Sequence, residues 1–309
     1  MPGALQFDGG RGTGKLRGFP HPPECSMRTI LLAALTSTLL LTACASTPTG
    51  EGRPMVTNGM GAALDGAIGG AWRSPENRAR DTWRHPKETL GFFGVRGDQT
   101  VIEITPAPGW YSEILAPYLK DSGQYVAAVI DPASQTSDKA REYYAKGRDG
   151  LQQKFDAAPA QFGRARIVGF DPKNPSFGPA GSADVVLTFR NVHNWRMAGT
   201  AESMFKGFFD VLKPGGVLGV VEHRAKADVP ATDKSGYVGQ AQVIAMAKAA
   251  GFVLDGQSEI NANPRDTKDH PNGVWMLPPS NQHDAADDAK YKAIGESDRM
   301  TLRFVKPRA

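Results

Sequence analysis

Carboxylates stand in or directly after three short apolar runs, which is where a parallel sheet collects ligand-binding groups. Glu103 lies in the run 100–104, Asp131 follows the run 125–130, and Asp171 follows 166–170. The carboxyl ends of parallel strands meet at one edge of the sheet, and ligands bind in the crevice there. A carboxylate about 20 residues beyond the first turn can accept the hydroxyls of a ribose. We therefore expect the three acids to converge on one crevice.

A second group of polar residues follows the fourth apolar run, 184–189. Arg190, Asn191 and His193 come directly after it. Histidine exchanges a proton near neutral pH, so His193 is the candidate general base or substrate-orienting group. Arg190 and Asn191, together with Trp195, would shape the pocket for the substrate. A structural histidine with satisfied hydrogen bonds is the commoner outcome, and that alternative stays open for His193.

These residues need a scaffold of alternating strands and helices, and the sequence predicts one. Apolar runs alternate with helical stretches, which indicates a parallel sheet with helical crossovers. The stretch 71–93 also has a helical pattern, with prolines where helices can begin. The region 261–281 is a long loop of the kind that is usually functional or disordered, and its part 263–275 is a candidate lid. The predicted strands are 100–104, 125–130, 166–170, 184–189, 216–222, 252–260 and 300–305, and the predicted helices are 111–119, 137–155, 201–212 and 240–250.

From about residue 100 to residue 307 the chain resembles the class I S-adenosylmethionine-dependent methyltransferases. The motifs that carry the resemblance occur in the family's order: TVIEITPAPG, ADVVLTFRNVHNW, LKPGGVLGVVE and DRMTLRFVKP. The resemblance implies an α/β fold with a Rossmann-like, doubly wound, seven-stranded sheet, whose last strand is antiparallel and at the sheet edge, and an N-terminal helical cap. The segments WYSEILAPYL, TFRNVHNW and NPRDTKDHPNGVW are similar to a bacterial group of predicted methyltransferases with no assigned substrate.

This resemblance implies that the cofactor is S-adenosyl-L-methionine and assigns residues to it. Glu103 would order the first turn or the cofactor's ammonium, and Gly109 is the last glycine of that turn. Asp131 would accept the ribose hydroxyls, Phe170 would stack on adenine, and Asp171 would accept from its amine. A sulfonium also favours aromatic faces. A cation–π wall is therefore expected from the aromatic residues near these motifs: Trp110, Tyr111, Phe189 and Trp195.

The first turn departs from the family's pattern. Thr105 and Ala107 hold two of the places where three glycines are usual, with Pro106 and Pro108 between them. Proline fixes the backbone at negative φ. The loop is therefore expected to follow another path around the cofactor.

Several of these residues have a purely structural alternative. Asp131 and Asp171 each precede a proline, so each can equally cap a short helix, and Glu103 could serve the turn alone. Arg80, Asp81, Arg84 and His85 could close the pocket or form a solvated helix face. In the long loop, the spacing of Asp266, Lys268, Asp269 and His270 matches no metal template. No metal is predicted.

The N-terminus has the form of a secretory signal. Met27-Arg28 precedes an apolar run, 29–43, that is too short to span a bilayer as a helix. The run ends in LTAC, which resembles the bacterial lipoprotein signal box and implies lipidation of Cys44. The predicted organisation is an extension (1–26), the signal peptide (27–43), a flexible tether (44–60), a helical cap (61–98) and a methyltransferase-like domain (99–309). The expected location is the periplasmic side of the cell envelope, and Ala45 resembles sorting to the outer membrane.

Composition bounds the function. The chain has 309 residues, 40% apolar and 22% charged, which excludes disordered, collagen-like and membrane-bundle classes. Without residues 1–43 it holds 32 basic and 30 acidic residues, a balance that does not favour nucleic-acid binding. The predicted function is methyl transfer to a small-molecule acceptor, with membrane contact through the lipid alone. The alternative is a catalytically silent envelope binding module; a nicotinamide oxidoreductase fits less well, because its GxGxxG turn is missing.

Overall fold

Seven strands form one sheet in the order β3-β2-β1-β4-β5-β7-β6. The computed structural model describes residues 57–308, so the predictions for the signal peptide, Cys44 and most of the tether fall on residues outside the described part. All pairs are parallel except those of β7, which is antiparallel to both neighbours. The strands are β1 (Thr100–Ile104), β2 (Gln124–Ile130), β3 (Arg166–Phe170), β4 (Ala183–Phe189), β5 (Leu212–His223), β6 (Val253–Ser258) and β7 (Arg299–Val305).

The described residues also form eleven α-helices, most of which pack on the two faces of the sheet. They are α1 (Thr57–Ile68), α2 (Pro75–Arg78), α3 (Asp81–Arg84), α4 (Pro86–Phe93), α5 (Ser112–Leu119), α6 (Asp138–Ala157), α7 (Pro159–Phe162), α8 (Val192–Ala198), α9 (Ala201–Val211), α10 (Gln240–Ala249) and α11 (Asp288–Ile294). One apolar cluster joins the sheet to α8, α9 and α10, and a second joins it to α1, α4, α5 and α6. Helices on both faces of a mostly parallel sheet make the fold doubly wound and Rossmann-like.

The predicted seven-stranded sheet with an antiparallel last strand is confirmed, but the edge position of that strand is wrong. β7 lies between β5 and β6, and its side chains are almost all buried. β6 occupies the edge, and its residues alternate between exposed and half-buried. A strand that is buried on both faces belongs inside a sheet, whereas an alternating polar strand tolerates an edge.

The helical cap is divided more finely than the pattern of 71–93 suggests. Pro75 and Pro86 begin α2 and α4, as expected. Between them, His85 adopts a left-handed conformation with φ of 41°, which separates α3 from α4. The helix α8, directly after β4, was not predicted from the sequence. In the described residues, no helix is both long and apolar enough to cross a membrane.

The chain reverses its direction of winding next to β1. This strand pairs with β2 on one side and with β4 on the other. The loops that leave the carboxyl ends of β1 and β4 therefore diverge and leave a crevice between them, which is where open α/β sheets bind ligands.

Candidate functional site

A cavity of about 1370 Å³ opens at the carboxyl ends of the parallel strands. The ends of β1, β2 and β4 contribute to its wall, as do residues that follow β3 and the last residue of β5. Ordinary small-molecule pockets measure roughly 300–1,000 Å³. This cavity is therefore large enough for a cofactor and a second molecule together. Of the residues predicted for the site, it is lined by Glu103, Trp110, Tyr111, Asp171, Phe189, Arg190, Asn191, His193 and Trp195.

Glu103 is a buried carboxylate at the base of the cavity, 3% exposed. Its Oε2 accepts hydrogen bonds from the Tyr125 hydroxyl at 2.6 Å and the Ser112 hydroxyl at 3.4 Å. Burial raises the pKa of Glu103 to about 7, against the lowering effect of these two hydroxyls and of Arg84. Such a group changes its charge near neutral pH and favours a cationic ligand in its ionised form.

The turn after β1 keeps the positive φ that a glycine would supply, but places it at a threonine. Thr105 has φ of 52°, and Gly109 has φ of 94°. Thr105 lines the cavity together with the three residues that follow it, and its buried hydroxyl has no hydrogen-bond partner among the described residues. Gly109 itself lies outside the cavity wall, against Leu151. Non-glycine residues rarely hold positive φ, and where they do they cluster at ligand sites.

The predicted aromatic residues line the cavity, but most of their faces are already in contact. The guanidiniums of Arg73 and Arg84 lie 5.1 Å and 4.8 Å from the ring centre of Trp110. Tyr111 stacks on Phe189 with ring centres 3.7 Å apart. Trp195, 4% exposed, packs on phenylalanines of α9. The expected sulfonium wall therefore has little free aromatic face to offer.

The three residues expected around adenosine are placed differently from one another. Asp131 lies outside the cavity wall, and its Oδ1 caps the turn Pro132–Ser134 by accepting from the Ala133 amide at 2.9 Å. Asp171 lines the cavity and accepts from the Lys173 amide at 2.9 Å. Phe170 does not face the cavity: it is 3% exposed and packs against Phe177 in the core. An adenine stack on Phe170 is therefore incompatible with this packing, which is a correction to the sequence prediction.

His193 forms a buried pair with Glu222, the residue near the end of β5. His193 Nδ1 lies 3.0 Å from Glu222 Oε1, and the remaining ring nitrogen, Nε2, is buried without a partner among the described residues. Glu222 also accepts from the backbone amides of Val192, His193 and His223. Because the Glu222 carboxylate acts as the acceptor in all of these contacts, it favours the tautomer of His193 in which Nδ1 carries the hydrogen. His193 lines the cavity, and in this tautomer its Nε2 carries no hydrogen and can act as a hydrogen-bond acceptor.

His223 completes a group of three potential metal ligands with His193 and Glu222. Glu222 is, however, already committed to four hydrogen bonds. His223 Nδ1 is 2.5 Å from the Ser297 hydroxyl, and burial, with the nearby His193 and Arg190, holds the pKa of His223 well below its ordinary value. Both oxygens of Glu222 and Nδ1 of His223 are already in hydrogen bonds, so these contacts fit a hydrogen-bonded group better than a metal centre.

Asn191 and Arg190 hold different positions at the end of β4. The Asn191 amide donates to the Ile104 carbonyl at 3.0 Å and to the Thr188 hydroxyl at 3.2 Å, which ties the end of β4 to the end of β1. Arg190 has φ of 61° and a half-buried side chain with no hydrogen bond or ion pair to the described residues. Asn191 therefore positions the site, whereas Arg190 is free to meet a ligand.

The helical cap contributes two arginines to the cavity, which decides between the alternatives left open for residues 80–85. Arg80 and Arg84 line the cavity and pair with Glu296, at 2.8 Å and 3.1 Å. Asp81 instead pairs with the buried Arg73 at 2.6 Å and 2.8 Å. The pKa of Glu296 falls to about 2: burial would raise it, but the surrounding arginines, Arg299 and Arg84 foremost, lower it by more.

A buried hydrogen-bond network holds the long loop in place. Asp266 accepts from the Tyr237 hydroxyl at 2.8 Å, from the Asp298 amide at 2.8 Å, and lies 2.9 Å from His270 Nε2. Lys268 pairs with Asp298 at 2.6 Å. Downstream of this network, residues 274, 275 and 278–280 line the cavity. The first part of the candidate lid is anchored, and the segment that follows it closes one side of the cavity.

Sequence reasoning missed Glu222, His223 and Glu296. Glu222 and His223 end β5, so the rule that functional groups gather at the carboxyl ends of parallel strands would have found them. Glu296 lies between α11 and β7, more than 200 residues from Arg80 and Arg84, with which it pairs. Nothing local in the sequence marks that pairing.

Comparisons with known proteins connect the chain to others through its fold. No protein-family model and no curated protein matches it. Among solved structures, the [4+2]-cyclase SpnF is similar with a TM-score of 0.52 and 15% identity, over 81% of this chain and 94% of that one. A SAM dependent methyltransferase from Aquifex aeolicus gives a TM-score of 0.49 and 12% identity, over 80% and 98%. StiE O-MT gives 0.49 and 17%, over 76% and 78%. At such identities the likeness to SpnF shows the fold and no activity.

Proposed function

We propose that this protein is an S-adenosylmethionine-dependent methyltransferase that acts on a small-molecule acceptor. The observation that carries the proposal is one cavity with two kinds of group in its wall. Glu103 is a buried carboxylate suited to a cationic ligand, and His193 is a histidine paired with Glu222 and free at Nε2. The first suits a cofactor with a positively charged end, and the second suits proton removal from an acceptor.

The residues present fit this cofactor in three respects. Oε1 of Glu103 makes no hydrogen bond to the described residues, so it is available to the methionyl ammonium. The Thr105 hydroxyl is also without a partner there. Asp171 lines the cavity and uses Oδ1 to accept from the Lys173 amide, and its other carboxylate oxygen remains for the adenine amine. When bound, the cofactor supplies an electrophilic methyl group on a sulfonium.

The chain's own residues would supply alignment and a base. Nε2 of His193 accepts the proton that the acceptor's nucleophilic atom loses, and Glu222 holds the ring by its Nδ1 hydrogen and stabilises the charge that develops on it. Asn191 keeps the ends of β4 and β1 together. Val274 and Trp275 line the same cavity, where they would limit the access of water to the reacting atoms. Transfer of this kind depends on alignment more than on covalent help from the protein.

Calorimetry with S-adenosylmethionine and S-adenosylhomocysteine tests the proposal directly. We expect saturable binding of both. Asp171→Ala should weaken S-adenosylhomocysteine binding at least tenfold, the loss of about 1.4 kcal/mol or more that a charge-assisted hydrogen bond supplies. Exposed Glu142→Gln on α6 is the matched control and should bind as the wild type does. No heat at millimolar ligand would refute the enzyme proposal.

The second candidate function is a catalytically silent binding module. The replacement of glycines by Thr105 and Ala107 in the first turn favours it. An S-adenosylhomocysteine affinity unchanged by Asp171→Ala would leave Asp171 as a cap only. Absence of cofactor binding in a folded protein would select the silent module.

We also propose that the protein is lipid-anchored to the cell envelope through Cys44. The support is the LTAC box after a short basic and apolar segment. Cys44→Ala should move the protein from the membrane fraction to the soluble fraction, and mass spectrometry of the mature N-terminal peptide should show acylation at Cys44 in the wild type. An unmodified Cys44 in the mature protein would refute the anchor. An extracytoplasmic location would require the cofactor, which is made in the cytosol, to reach the domain.

A further inference from the structure

We propose that the acceptor carries an anionic group, a carboxylate or a phosphate, and that Arg190, Arg84 and Arg80 hold it beside His193. The inference rests on the proposed function in naming the bound molecule as the acceptor. The anion site itself stands on the geometry of the arginines. All three line the cavity that His193 also lines.

The three guanidiniums have unused hydrogen-bonding capacity. Nη2 of Arg80 and Nη2 of Arg84 are buried and have no partner among the described residues. Arg190 lines the cavity, is half-buried, and makes no ion pair with the described residues. Its backbone is held at φ of 61°. Unpartnered buried donors and a strained backbone at one place are features of a ligand site.

Charge is unbalanced at this end of the cavity. The guanidiniums of Arg80, Arg84, Arg190 and Arg299 lie near the carboxylates of Glu296 and Glu222, and Arg84 is also near Glu103. Four guanidiniums against three carboxylates leave an excess of positive charge. Burial, and the field of neighbouring arginines after it, lowers the pKa of Arg84 and brings that of Arg190 to about 10. A buried excess of one sign is unfavourable until a counter-ion arrives.

The cofactor would not supply that counter-ion. S-adenosylmethionine brings one carboxylate together with an ammonium and a sulfonium, so it adds a positive charge to the cavity. The second occupant is therefore the molecule that must bring negative charge. Of the three arginines, Arg190 is the nearest to His193 in the sequence. Its positive charge also lowers the pKa of His223, whose ring lies next to that of His193. An anion on Arg190 would thus sit close to the proposed base.

The hydrogen-bonding geometry of the guanidinium group limits which anions these arginines would bind. Planar guanidinium forks bind carboxylate and phosphate oxygens in pairs, and they do so more specifically than ammonium groups. Carboxylate and phosphate therefore share the required chemistry, and the experiment separates them.

Calorimetry on the full chain, saturated with S-adenosylhomocysteine, tests the inference with inorganic phosphate, benzoate and the neutral benzamide. We expect phosphate or benzoate to bind, and whichever binds more tightly identifies the anion. Benzamide should bind at least tenfold more weakly than benzoate if the site prefers a carboxylate. Arg190→Gln should weaken the preferred anion at least tenfold, and Arg141→Gln, on the exposed face of α6, should change nothing. Arg190→Gln and Arg190→Lys are the deciding variants, because the Arg190 side chain makes no hydrogen bond or ion pair with the described residues, whereas Arg84 is paired with Glu296.

Two results would overturn the inference. One is failure of both anions to bind to a protein that binds S-adenosylhomocysteine. The other is competition, in which S-adenosylhomocysteine displaces the anion, since the arginines would then hold the cofactor's own carboxylate. Failure of S-adenosylhomocysteine to bind at all, measured separately, counts against the proposed function and is distinguishable, because anion binding to Arg190 can be measured in its absence.

Discussion

Replacing Glu103 by glutamine should make the protein more stable at neutral and alkaline pH. The carboxylate is 3% exposed, and burial raises its pKa from 4.5 to about 7. Below pH 4.5 the group is protonated in both the folded and the unfolded protein. As the pH rises through 4.5 toward 7, the unfolded chain loses this proton while the folded protein keeps it, so the free energy of unfolding falls. Above about pH 7 both states are ionised and the full cost of the buried charge is present.

The magnitude follows from the two pKa values. One pKa unit corresponds to about 1.4 kcal/mol, so a rise from 4.5 to about 7 costs about 3 kcal/mol at pH 8. Glutamine has nearly the same shape and cannot ionise. Its carbonyl can still accept from Tyr125, and its amide takes the place of the oxygen that has no partner among the described residues. Glu103→Gln should therefore match the wild type near pH 4.5 and exceed its stability by up to about 3 kcal/mol at pH 8.

Urea denaturation followed by tryptophan fluorescence, at intervals from pH 4.5 to pH 8, measures this difference. Glu142→Gln removes an exposed carboxylate from α6 and should show a small difference that does not vary with pH. Because each variant is compared with the wild type at the same pH, the other titrating groups cancel. A stability gain that is absent at pH 8, or that grows toward low pH, would show that the reasoning about the buried charge is wrong.

The same substitution should impair cofactor binding, because Glu103 would meet the cofactor's ammonium as a carboxylate. Binding by the wild type should weaken about tenfold between pH 8 and pH 6, since only about a tenth of Glu103 is ionised at pH 6 in the free protein. Calorimetry of S-adenosylhomocysteine binding at both pH values measures it. Glu103→Gln should bind weakly at both. A pH-independent affinity in the wild type would mean that Glu103 does not contact the cofactor's charged end.

Three further predictions concern the polar groups around the cavity. Glu296→Gln should lower the free energy of unfolding at pH 7 by about 3–5 kcal/mol, because it leaves buried arginines unpaired. In the wild type, the stabilisation by the ionised Glu296 is present above pH 4.5 and is lost as the pH falls toward 2. Measuring the free energy of unfolding at a series of acidic pH values would show this loss. His193→Gln should reduce labelled-methyl transfer to any acceptor found by screening about 10²–10⁴-fold, with S-adenosylhomocysteine affinity within a few-fold of wild type; equal losses of both would contradict a base role. Asp81→Asn should cost about 3 kcal/mol or more in urea denaturation, because Arg73, 1% exposed, loses its paired carboxylate, and exposed Asp138→Asn should cost far less.

Most of the fold could be predicted from the sequence because buried parallel strands are continuous apolar runs. The predicted strands 100–104 and 166–170 have the same bounds as β1 and β3, and the other five differ by a few residues at their ends. The helix α8 could not be recognised, because at seven residues it shows too little periodicity. The place of β7 between β5 and β6 is not written in either strand's own pattern. That position depends on which strands pair with each other when the sheet forms.

The candidate site, too, could be predicted from the sequence only in part. That Glu103, Asp171 and His193 face one cavity follows from their positions after strands, and the sequence alone predicts it. The side-chain environment decides the rest. The side chain of Phe170 lies in the core, where it packs against Phe177. Asp131 uses one carboxylate oxygen to cap a turn.

The sequence by itself determined the order of strands and helices and the edge of the sheet at which polar residues collect, because both depend on local periodicity and on the direction of each strand. Only the tertiary structure decided that Glu222 accepts a hydrogen bond from His193, and that arginines of the helical cap form ion pairs with Glu296 beside the cavity. Those partners are between 29 and more than 200 residues apart. Charge attraction acts through space, and the chain brings such groups together only after the sheet has formed.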